Sequence, residues 1–515
     1  MPPWTPTAWS SIITGKNPGK HGVFDMLWRR PGTYEFILSN ARTREGTPFW
    51  KRLNQHGIRV GLVNIPFTHP PDEVDGFVVS GFGTPSSARN ITYPAGLLEW
   101  IEQSFGSFQP VVDVKVLETA SPEEILKYES EHQSRQVQVA SALVKRHPVD
   151  VLAINLMLTD HANHKMPQID QVQEAYSRSD HHLCRLIEAF QPDNIMVISD
   201  HGSNRITGDF LLNAWLRDQG YYVQTAHQSV ERSATLNWIL LQWLRARFGW
   251  SGISEKMLRH AMRLSLPVLP KWIAEKIWAD IDRHIPFARQ YFLYSNQPDF
   301  DRTAVFPGSV YSGLLYLNLR GREMSGTVPY EQRLSFASEI AQELSKIEDP
   351  DTGYPLFSGI YAAADLYSGP ATENAPDLIL DSYDARWNIR TNKYIPIPMV
   401  ARQRYFVDMT GRRDFGWHSR EGVFVFSGPG FSVGGSLTDG SVMDVPATLL
   451  HLYDVPIPED YDGRVLLDLL STEFCQQQVR YQVGDTASQT SEETQLSAKE
   501  TKELMDHLKA LGYLD

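Results

Sequence analysis

Cysteine is nearly absent from this sequence: only Cys184 and Cys475 occur among its 515 residues. One disulfide is therefore the most that could form. A disulfide-stabilised secreted scaffold and a cysteine-rich zinc motif are both excluded. Because such sparse cysteine is typical of a reducing compartment, we predict a cytoplasmic protein.

Long apolar runs and an excess of basic residues are lacking as well. No segment is long enough to cross a bilayer, so the sequence predicts no transmembrane segment. Lys and Arg number 48 against 61 Asp and Glu, a net charge of −13. A general nucleic-acid binder needs a basic face, so we expect no nucleic-acid binding. The sequence does not indicate an oligomeric state.

Short apolar runs alternate with amphipathic segments along much of the chain. We predict amphipathic helices at positions such as 122–145 and 171–190, and buried parallel strands at 59–63, 76–80, 149–155, 194–199, 377–380 and 422–426. This alternation predicts an α/β fold with a doubly wound, mostly parallel sheet and helices on both faces. In such a sheet, the chemistry lies just beyond the carboxyl ends of the strands.

The composition of the chain suggests four parts. We predict a catalytic core in two pieces, 1–205 and 401–475, separated by an insert or cap at 206–400 and followed by a polar tail at 476–515 that ends in a docking helix. The insert contains a Trp-rich stretch, 233–278, with helical spacing. This stretch is either a helical hairpin packed on the body or an interfacial lid that meets lipid-like substrates.

The sequence TPTAWSSIITG near the start predicts a short helix. Pro6 suits the first turn of a helix and Gly15 suits its end. The Thr5 hydroxyl would then lie at a helix N-terminus, where backbone N–H groups and the helix dipole favour an anion. Thr5 is therefore a candidate nucleophile beside an anion site.

Polar residues with metal-binding side chains follow two of the predicted strands and precede a third. Asp160 and His164 come after strand 149–155, Asp200 and His201 directly follow strand 194–199, and His418 precedes strand 422–426. Each group alone has a plain structural alternative, such as a surface pair or a turn. Together with Thr5, they would supply two divalent metals and a nucleophile, the set that in-line phosphoryl transfer needs.

The other histidines near these motifs are assigned no chemistry. His21 is expected to close the loop after the first helix in a structural role, and His161 is expected to point away from Asp160 and His164. His181 and His182 are expected on the surface or flank of a helix.

Several segments together resemble the type I phosphodiesterase and nucleotide pyrophosphatase branch of the alkaline phosphatase superfamily, and within it a group described as predicted phosphohydrolases or phosphomutases. The resemblance covers nearly the whole chain. The segments that carry it most clearly are WTPTAWSSIITGKNPGKHGVFDM (4–26), TDHANH (159–164), VISDHGSN (197–204) and WHSREGVFVFSGPG (417–430).

This resemblance implies an alkaline-phosphatase-like fold and a role for each candidate residue. Thr5 matches the family's nucleophile. Asp160, His164 and His418 match one metal site, and Asp200 and His201 match the other. Zinc is the implied metal, with manganese as the alternative. The implied activity is a phosphodiesterase that forms a phosphothreonine intermediate on a small-molecule or lipid-linked phosphoester.

Two features depart from the family's pattern. The family's first strand carries a further metal-ligand Asp before the nucleophile helix, whereas only four residues precede Thr5 here. We expect an upstream βα unit to supply that Asp. The asparagine that contacts phosphate in nucleotide pyrophosphatases is Ala8 here, which argues against a nucleotide substrate. A phosphomutase and a catalytically impaired binding protein are the alternative functions.

Overall fold

The computed structural model of the chain describes residues 3–223, 298–308, 313–382, 386–391, 401–403, 405–408, 415–437, 439–484 and 496–511. Helices and strands alternate through the first half of these residues, which confirms the α/β class. The helices are α1 (Thr5–Thr14), α2 (Pro18–His21), α3 (Phe49–Gln55), α4 (Leu97–Phe105), α5 (Val114–Thr119), α6 (Pro122–Arg146), α7 (Leu158–Lys165), α8 (Ile169–Phe190) and α9 (Leu212–Asp218), followed by Arg333–Leu344, Ala363–Leu366, Asp444–Leu452, Thr472–Gln476 and Ala498–Leu511.

The strands are short and form several separate ladders. In chain order they are β1 (Leu27–Arg29), β2 (Phe36–Leu38), β3 (Val60–Ile65), β4 (Gly76–Ser80), β5 (Thr92–Tyr93), β6 (Val151–Ile154), β7 (Ile195–Ile198), β8 (Gly202–Arg205), β9 (Gly208–Leu211), β10 (Val305–Pro307), β11 (Leu314–Leu317), β12 (Gly359–Ala362), β13 (Leu378–Asp381), β14 (Trp387–Arg390), β15 (Ala401–Gln403), β16 (Phe406–Asp408), β17 (Gly416–Ser419), β18 (Phe424–Ser427), β19 (Ile457–Pro458) and β20 (Tyr481–Gln482).

The sheet that leads into the candidate site has the order β5-β4-β3-β6. Strand β3 lies between β4 and β6 and runs parallel to both, whereas β5 is antiparallel to β4. Every residue of β3 is buried, as expected for a strand covered on both faces. Leu62 packs in one hydrophobic cluster with α3 and the Asp444–Leu452 helix, and Val63 packs in another with α6. Helices therefore cover both faces of this sheet.

Helix α1 has the predicted bounds. It begins at Thr5 with Pro6 in its first turn, and Gly15 ends it with a φ of 68°, in the left-handed region where glycine is favoured. The Gly15 N–H donates to the Ser11 carbonyl, and the Gly15 carbonyl accepts from the backbone of Asp462 at 2.8 Å. These contacts fix the direction in which the N-terminus of α1 points.

Three of the predicted parallel strands, β7, β13 and β18, are antiparallel instead. Strand β18 pairs with β7, and β13 lies between β11 and β12 in a different sheet, each pair antiparallel. An apolar run indicates that a strand is buried but not the direction of its neighbour. In β18 the burial also alternates along the strand, and Val425 is 58% exposed, as is typical of an antiparallel strand with one open face.

The region after β9 has its own core. Strands β10, β11, β13 and β12 form one sheet, and β14, β9, β16 and β15 form another. Phe210 and Trp387 share a hydrophobic cluster with Leu315 and Ile340, so both sheets and the Arg333–Leu344 helix pack together. The proposed boundaries at 205 and 400 stay predictions, and the Trp-rich stretch 233–278 lies outside the described residues.

Three further predictions concern the cysteines, a membrane-spanning helix and the C-terminal helix. Cys184 and Cys475 are both exposed and free, so they form no disulfide. Among the described residues, no helix combines the length and apolar character needed to cross a membrane. The Ala498–Leu511 helix buries Leu504, Leu508 and Leu511 in a cluster with α5, α7 and α8.

Candidate active site

Four parts of the fold bring the predicted site residues together. Strand β6 leads into α7, where Asp160 and His164 lie one turn apart and so share a face. Strand β7 ends at Ile198, just before Asp200 and His201. The antiparallel pairing of β8 with β17 places His418 opposite Ser203, two residues after His201. The N-terminus of α1 adds Thr5.

The distances define one compact cluster. His418 Nε2 lies 3.1 Å from His164 Nε2 and 3.9 Å from Asp160 Oδ1. The rings of His418 and His201 stack with centroids 3.7 Å apart. His201 Nε2 lies 3.4 Å from Asp200 Oδ2 and 3.3 Å from the Thr5 hydroxyl. Ligand atoms of Asp160, His201 and His418 all lie within 4.8 Å of one another.

The backbone fixes which nitrogen of each imidazole faces the cluster. Nδ1 of His164, His201 and His418 lies 3.1, 3.0 and 2.7 Å from the carbonyls of Gly416, Gly202 and Pro3, respectively. A carbonyl only accepts hydrogen bonds, so each Nδ1 carries the proton and donates it. In the neutral ring, Nε2 then presents a lone pair to the cluster. Metal-binding histidines are commonly held in this way, with the outer nitrogen donating to a carbonyl.

The pKa shifts of His418 and Asp160 favour the protonation states that a cation requires, whereas the shift of Asp200 opposes its ionisation. Burial, together with the adjacent His201 and His164, lowers the pKa of His418 well below its ordinary value. Burial opposes ionisation of Asp160, but the neighbouring His164 and His418 outweigh it and hold the pKa of this carboxyl below its usual range. Burial raises the pKa of Asp200, and His201 offsets part of that rise. Neutral imidazoles and an ionised carboxylate are the forms that bind metals.

The donor set therefore fits divalent cations. If both rings are neutral, the Nε2 lone pairs of His164 and His418, 3.1 Å apart, repel each other unless a positive charge lies beside them. Imidazole and carboxylate ligands together suit Zn²⁺ and other first-row metals. The imidazoles are buried while the Asp160 and Asp200 carboxylates are partly exposed, so the cluster is reached from the carboxylate side.

Thr5 contributes a hydroxyl to the cluster and also lies at the N-terminus of α1. Its side chain is buried, and it is the first residue of α1. The preceding residue, Trp4, provides no side-chain cap, so the first N–H groups of the helix are left to interact with groups in the site. An anion bound there would be stabilised by these N–H groups and by the helix dipole.

The histidines assigned to structural roles mostly lie where the sequence predicts. His161 points away from the cluster, with Nδ1 2.7 Å from Glu129 Oε1. His181 is exposed. The prediction for His182 is wrong, because it is buried between α8 and α6 with Nε2 3.3 Å from the Ser130 hydroxyl. Helix α8 packs along α6 at that position, which the sequence of one helix cannot show.

His21 is buried as a neutral ring and makes stability depend on pH. Nδ1 accepts from the Val23 N–H at 3.2 Å, so Nε2 donates to the Ser11 hydroxyl at 3.0 Å. Burial, assisted by the nearby Arg44, lowers the pKa of His21 to about 3. Below about pH 6.5 the unfolded chain takes up a proton that the folded chain does not, so stability falls with pH until about pH 3.

We therefore expect His21→Asn to reduce the acid sensitivity of the fold. Between pH 7 and pH 5, His21 should cost the wild type about 2 kcal/mol in the free energy of unfolding. Urea unfolding of both proteins without added metal, at both pH values, measures this loss. An equal loss in the two proteins would show that His21 is not held neutral.

Gln133 and Glu129 were not predicted as site residues. Both lie on α6 and contact α7: the Gln133 side chain accepts from the Leu158 N–H at 3.1 Å, and Glu129 contacts His161. Gln133 lies 25 residues before Leu158, and Glu129 lies 32 residues before His161. No local pattern in the sequence indicates such contacts.

The chain is similar to one protein family and to several solved structures. A family model described as type I phosphodiesterase / nucleotide pyrophosphatase matches residues 1–418. No curated protein gives a significant match. Among solved structures, murine ectonucleotide pyrophosphatase / phosphodiesterase 5 is similar at 13% identity and a TM-score of 0.43, covering 91% of this chain and 89% of that one. An inactive form of the murine protein in complex with AMP gives 12% identity, 90% and 87% coverage, and the same TM-score. A mutant of the alkaline phosphatase PafA gives 11% identity, 92% and 90% coverage, and a TM-score of 0.43.

Proposed function

The chain belongs to the type I phosphodiesterase / nucleotide pyrophosphatase family, and from that premise we propose that it hydrolyses phosphodiesters with Thr5 as nucleophile beside a centre of two divalent cations. By its description, the family is one of phosphoric ester hydrolases. The observation that carries the proposal is the position of the Thr5 hydroxyl, 3.3 Å from His201 Nε2 in a cluster of metal-binding side chains.

We assign the ligands to two cation sites. Asp160, His164 and His418 would hold one cation, and Asp200 and His201 would hold the other beside Thr5. The nitrogen-rich set favours zinc, with manganese as the alternative. When bound, the cations would lower the pKa of the Thr5 hydroxyl and neutralise charge on the phosphoryl oxygens.

Thr5 would form and break the covalent bond to phosphorus. Its oxygen attacks phosphorus in line with the leaving group while its proton passes to solvent, and the bond to the leaving alcohol breaks. That alcohol takes a proton from water. A water molecule then attacks the phosphothreonine, releases the phosphomonoester and returns a proton to Thr5. The N–H groups at the start of α1 would stabilise negative charge on the transferring group throughout.

The substrate we propose is a small-molecule or lipid-linked phosphodiester. Ala8 is fully buried one turn after Thr5 and offers no polar side chain to a phosphate. A site of this kind relies on the cations and the α1 N-terminus to hold the phosphoryl group. Such a site does not require the leaving group to be a nucleotide.

Two p-nitrophenyl esters test the proposed reaction. With Zn²⁺ or Mn²⁺ added, we expect kcat/KM for bis-p-nitrophenyl phosphate to exceed that for p-nitrophenyl phosphate by about tenfold or more, a difference of at least about 1.4 kcal/mol in transition-state binding. The metal-free protein serves as the control. A preference for the monoester, or turnover of neither ester, would contradict a phosphodiesterase.

A further inference from the structure

Helix α7 carries Asp160 and His164, and its position depends on the elements packed against it. It is only eight residues long, and its N-cap residue, Met157, makes no side-chain cap. A metal site needs its ligands held to within about 0.5 Å and 10–20° of the binding geometry. Something outside α7 must therefore set its position along its axis and its rotation about it.

Gln133 of α6 caps the start of α7. Its side-chain oxygen accepts from the Leu158 N–H at 3.1 Å, at the first residue of the helix. Its amide nitrogen donates to the Ser179 hydroxyl of α8 at 3.1 Å, so the oxygen cannot swing away from Leu158 without loss of that bond. This contact sets where α7 begins along its axis.

Glu129, one turn earlier on α6, holds the side of α7. Its Oε1 accepts from His161 Nδ1 at 2.7 Å, and both side chains are almost completely buried. His161 directly follows Asp160 and precedes His164 by three residues, so it projects about 100° around the helix from Asp160 and about 60° from His164. Because this contact lies on a different side of α7 from the ligands, it opposes rotation of the helix about its own axis.

Apolar packing holds this side of α7 only in part: Leu158 and Ala162 lie in a hydrophobic cluster with α5, α8 and the Ala498–Leu511 helix, but the packing is interrupted. A cavity lies beside the contacts, lined by Gln133, His161, Met157 and, from the Ala498–Leu511 helix, His507. Because a cavity interrupts the apolar packing there, the two polar contacts from α6 add a directional constraint that this packing does not supply.

We infer that Glu129 and Gln133 are positioning residues that set the rotation and axial position of α7 and thereby the metal affinity of Asp160 and His164. The inference rests on the proposed function, since it takes those two residues as ligands. It goes beyond that function by assigning a role to side chains that touch neither metal nor substrate.

Zinc affinity and a cobalt spectrum test this role. Glu129→Ala and Gln133→Met should each raise the Kd for Zn²⁺ by about tenfold, whereas Glu129→Gln, which keeps an acceptor for His161, should stay within about threefold of wild type. The matched control is Ser130→Ala, which removes a buried contact between α6 and α8 without touching α7. The absorption spectrum of the Co²⁺-loaded protein should change in the first two variants only.

The outcomes separate this inference from the proposed function. Asp160→Asn should lose zinc in either case. Suppose that Asp160→Asn loses zinc but Glu129→Ala and Gln133→Met bind it like wild type, or no worse than Ser130→Ala. The positioning role is then refuted, while the assignment of Asp160 as a ligand is retained. If Asp160→Asn binds zinc normally, the ligand assignment fails and the inference fails with it. Should Glu129→Ala not fold, the near-isosteric Gln133→Met decides by the same criteria.

Discussion

The Thr5→Ala variant is expected to lose about 10³-fold or more in kcat on a phosphodiester while still binding its metals. The reason is that Thr5 supplies the oxygen that bonds to phosphorus, and no other hydroxyl is proposed for that role. The backbone of α1 should be little changed, because alanine is a good helix former. Steady-state assays with bis-p-nitrophenyl phosphate, together with elemental analysis of bound metal, measure both quantities.

Two further variants show whether the loss belongs to the Thr5 hydroxyl. Thr5→Ser keeps a hydroxyl at the same position and should retain a measurable part of the wild-type rate. Thr14→Ala removes a buried hydroxyl from the other end of α1, where it donates to the Ser10 carbonyl at 2.7 Å, and should leave kcat within about threefold. A Thr5→Ala protein as active as Thr14→Ala would remove Thr5 from the mechanism.

Removal of divalent cations should abolish hydrolysis, and His418→Ala should prevent the return of the cation that we assign to Asp160, His164 and His418. His418 lies between His164 and His201 in the cluster, with its Nδ1 fixed to the Pro3 carbonyl. Loss of residues that only support a ligand weakens binding by 10–100-fold, so loss of a ligand should raise the Kd for Zn²⁺ by more than about 100-fold. Chelation, reloading with zinc and titration with a chromophoric competitor test this.

The matched control is His182→Asn, which changes a buried histidine outside the cluster. Like wild type, this variant should lose activity on chelation and regain it when zinc is added. Its Kd for Zn²⁺ should be unchanged. The metal account would be contradicted by a chelated protein that keeps its turnover, or by His418→Ala protein that binds zinc like wild type.

The strands and the first helix could be predicted from the sequence because their signals are local. The runs at 60–65, 76–80, 151–154 and 195–198 are short, apolar and β-rich, and each is a strand. Pro6 and Gly15 mark the ends of α1 by their backbone preferences alone. The direction of pairing for β7, β13 and β18 could not be predicted in the same way, because it depends on which distant strand lies alongside.

The residues that lie together at the candidate site could be named from the sequence, whereas the contacts that orient them could not, and their roles as metal ligands and nucleophile stay predictions. Asp160, His164, Asp200, His201 and His418 follow or precede strands, and the structure brings them together with Thr5. Their rings are oriented by backbone carbonyls, at Pro3 for example, that carry no side-chain signal. The burial of His182 and the contacts of Glu129 and Gln133 depend on how α6, α7 and α8 pack, which periodicity within one helix does not determine.

The stereochemistry of hydrolysis at phosphorus tests the central claim most directly. A phosphodiester made chiral by sulfur substitution would be hydrolysed in isotopically labelled water and the configuration of the product determined. Each in-line displacement inverts phosphorus, so attack by Thr5 followed by attack by water predicts overall retention. Overall inversion would show that water attacks the substrate directly, and it would contradict a covalent intermediate on Thr5.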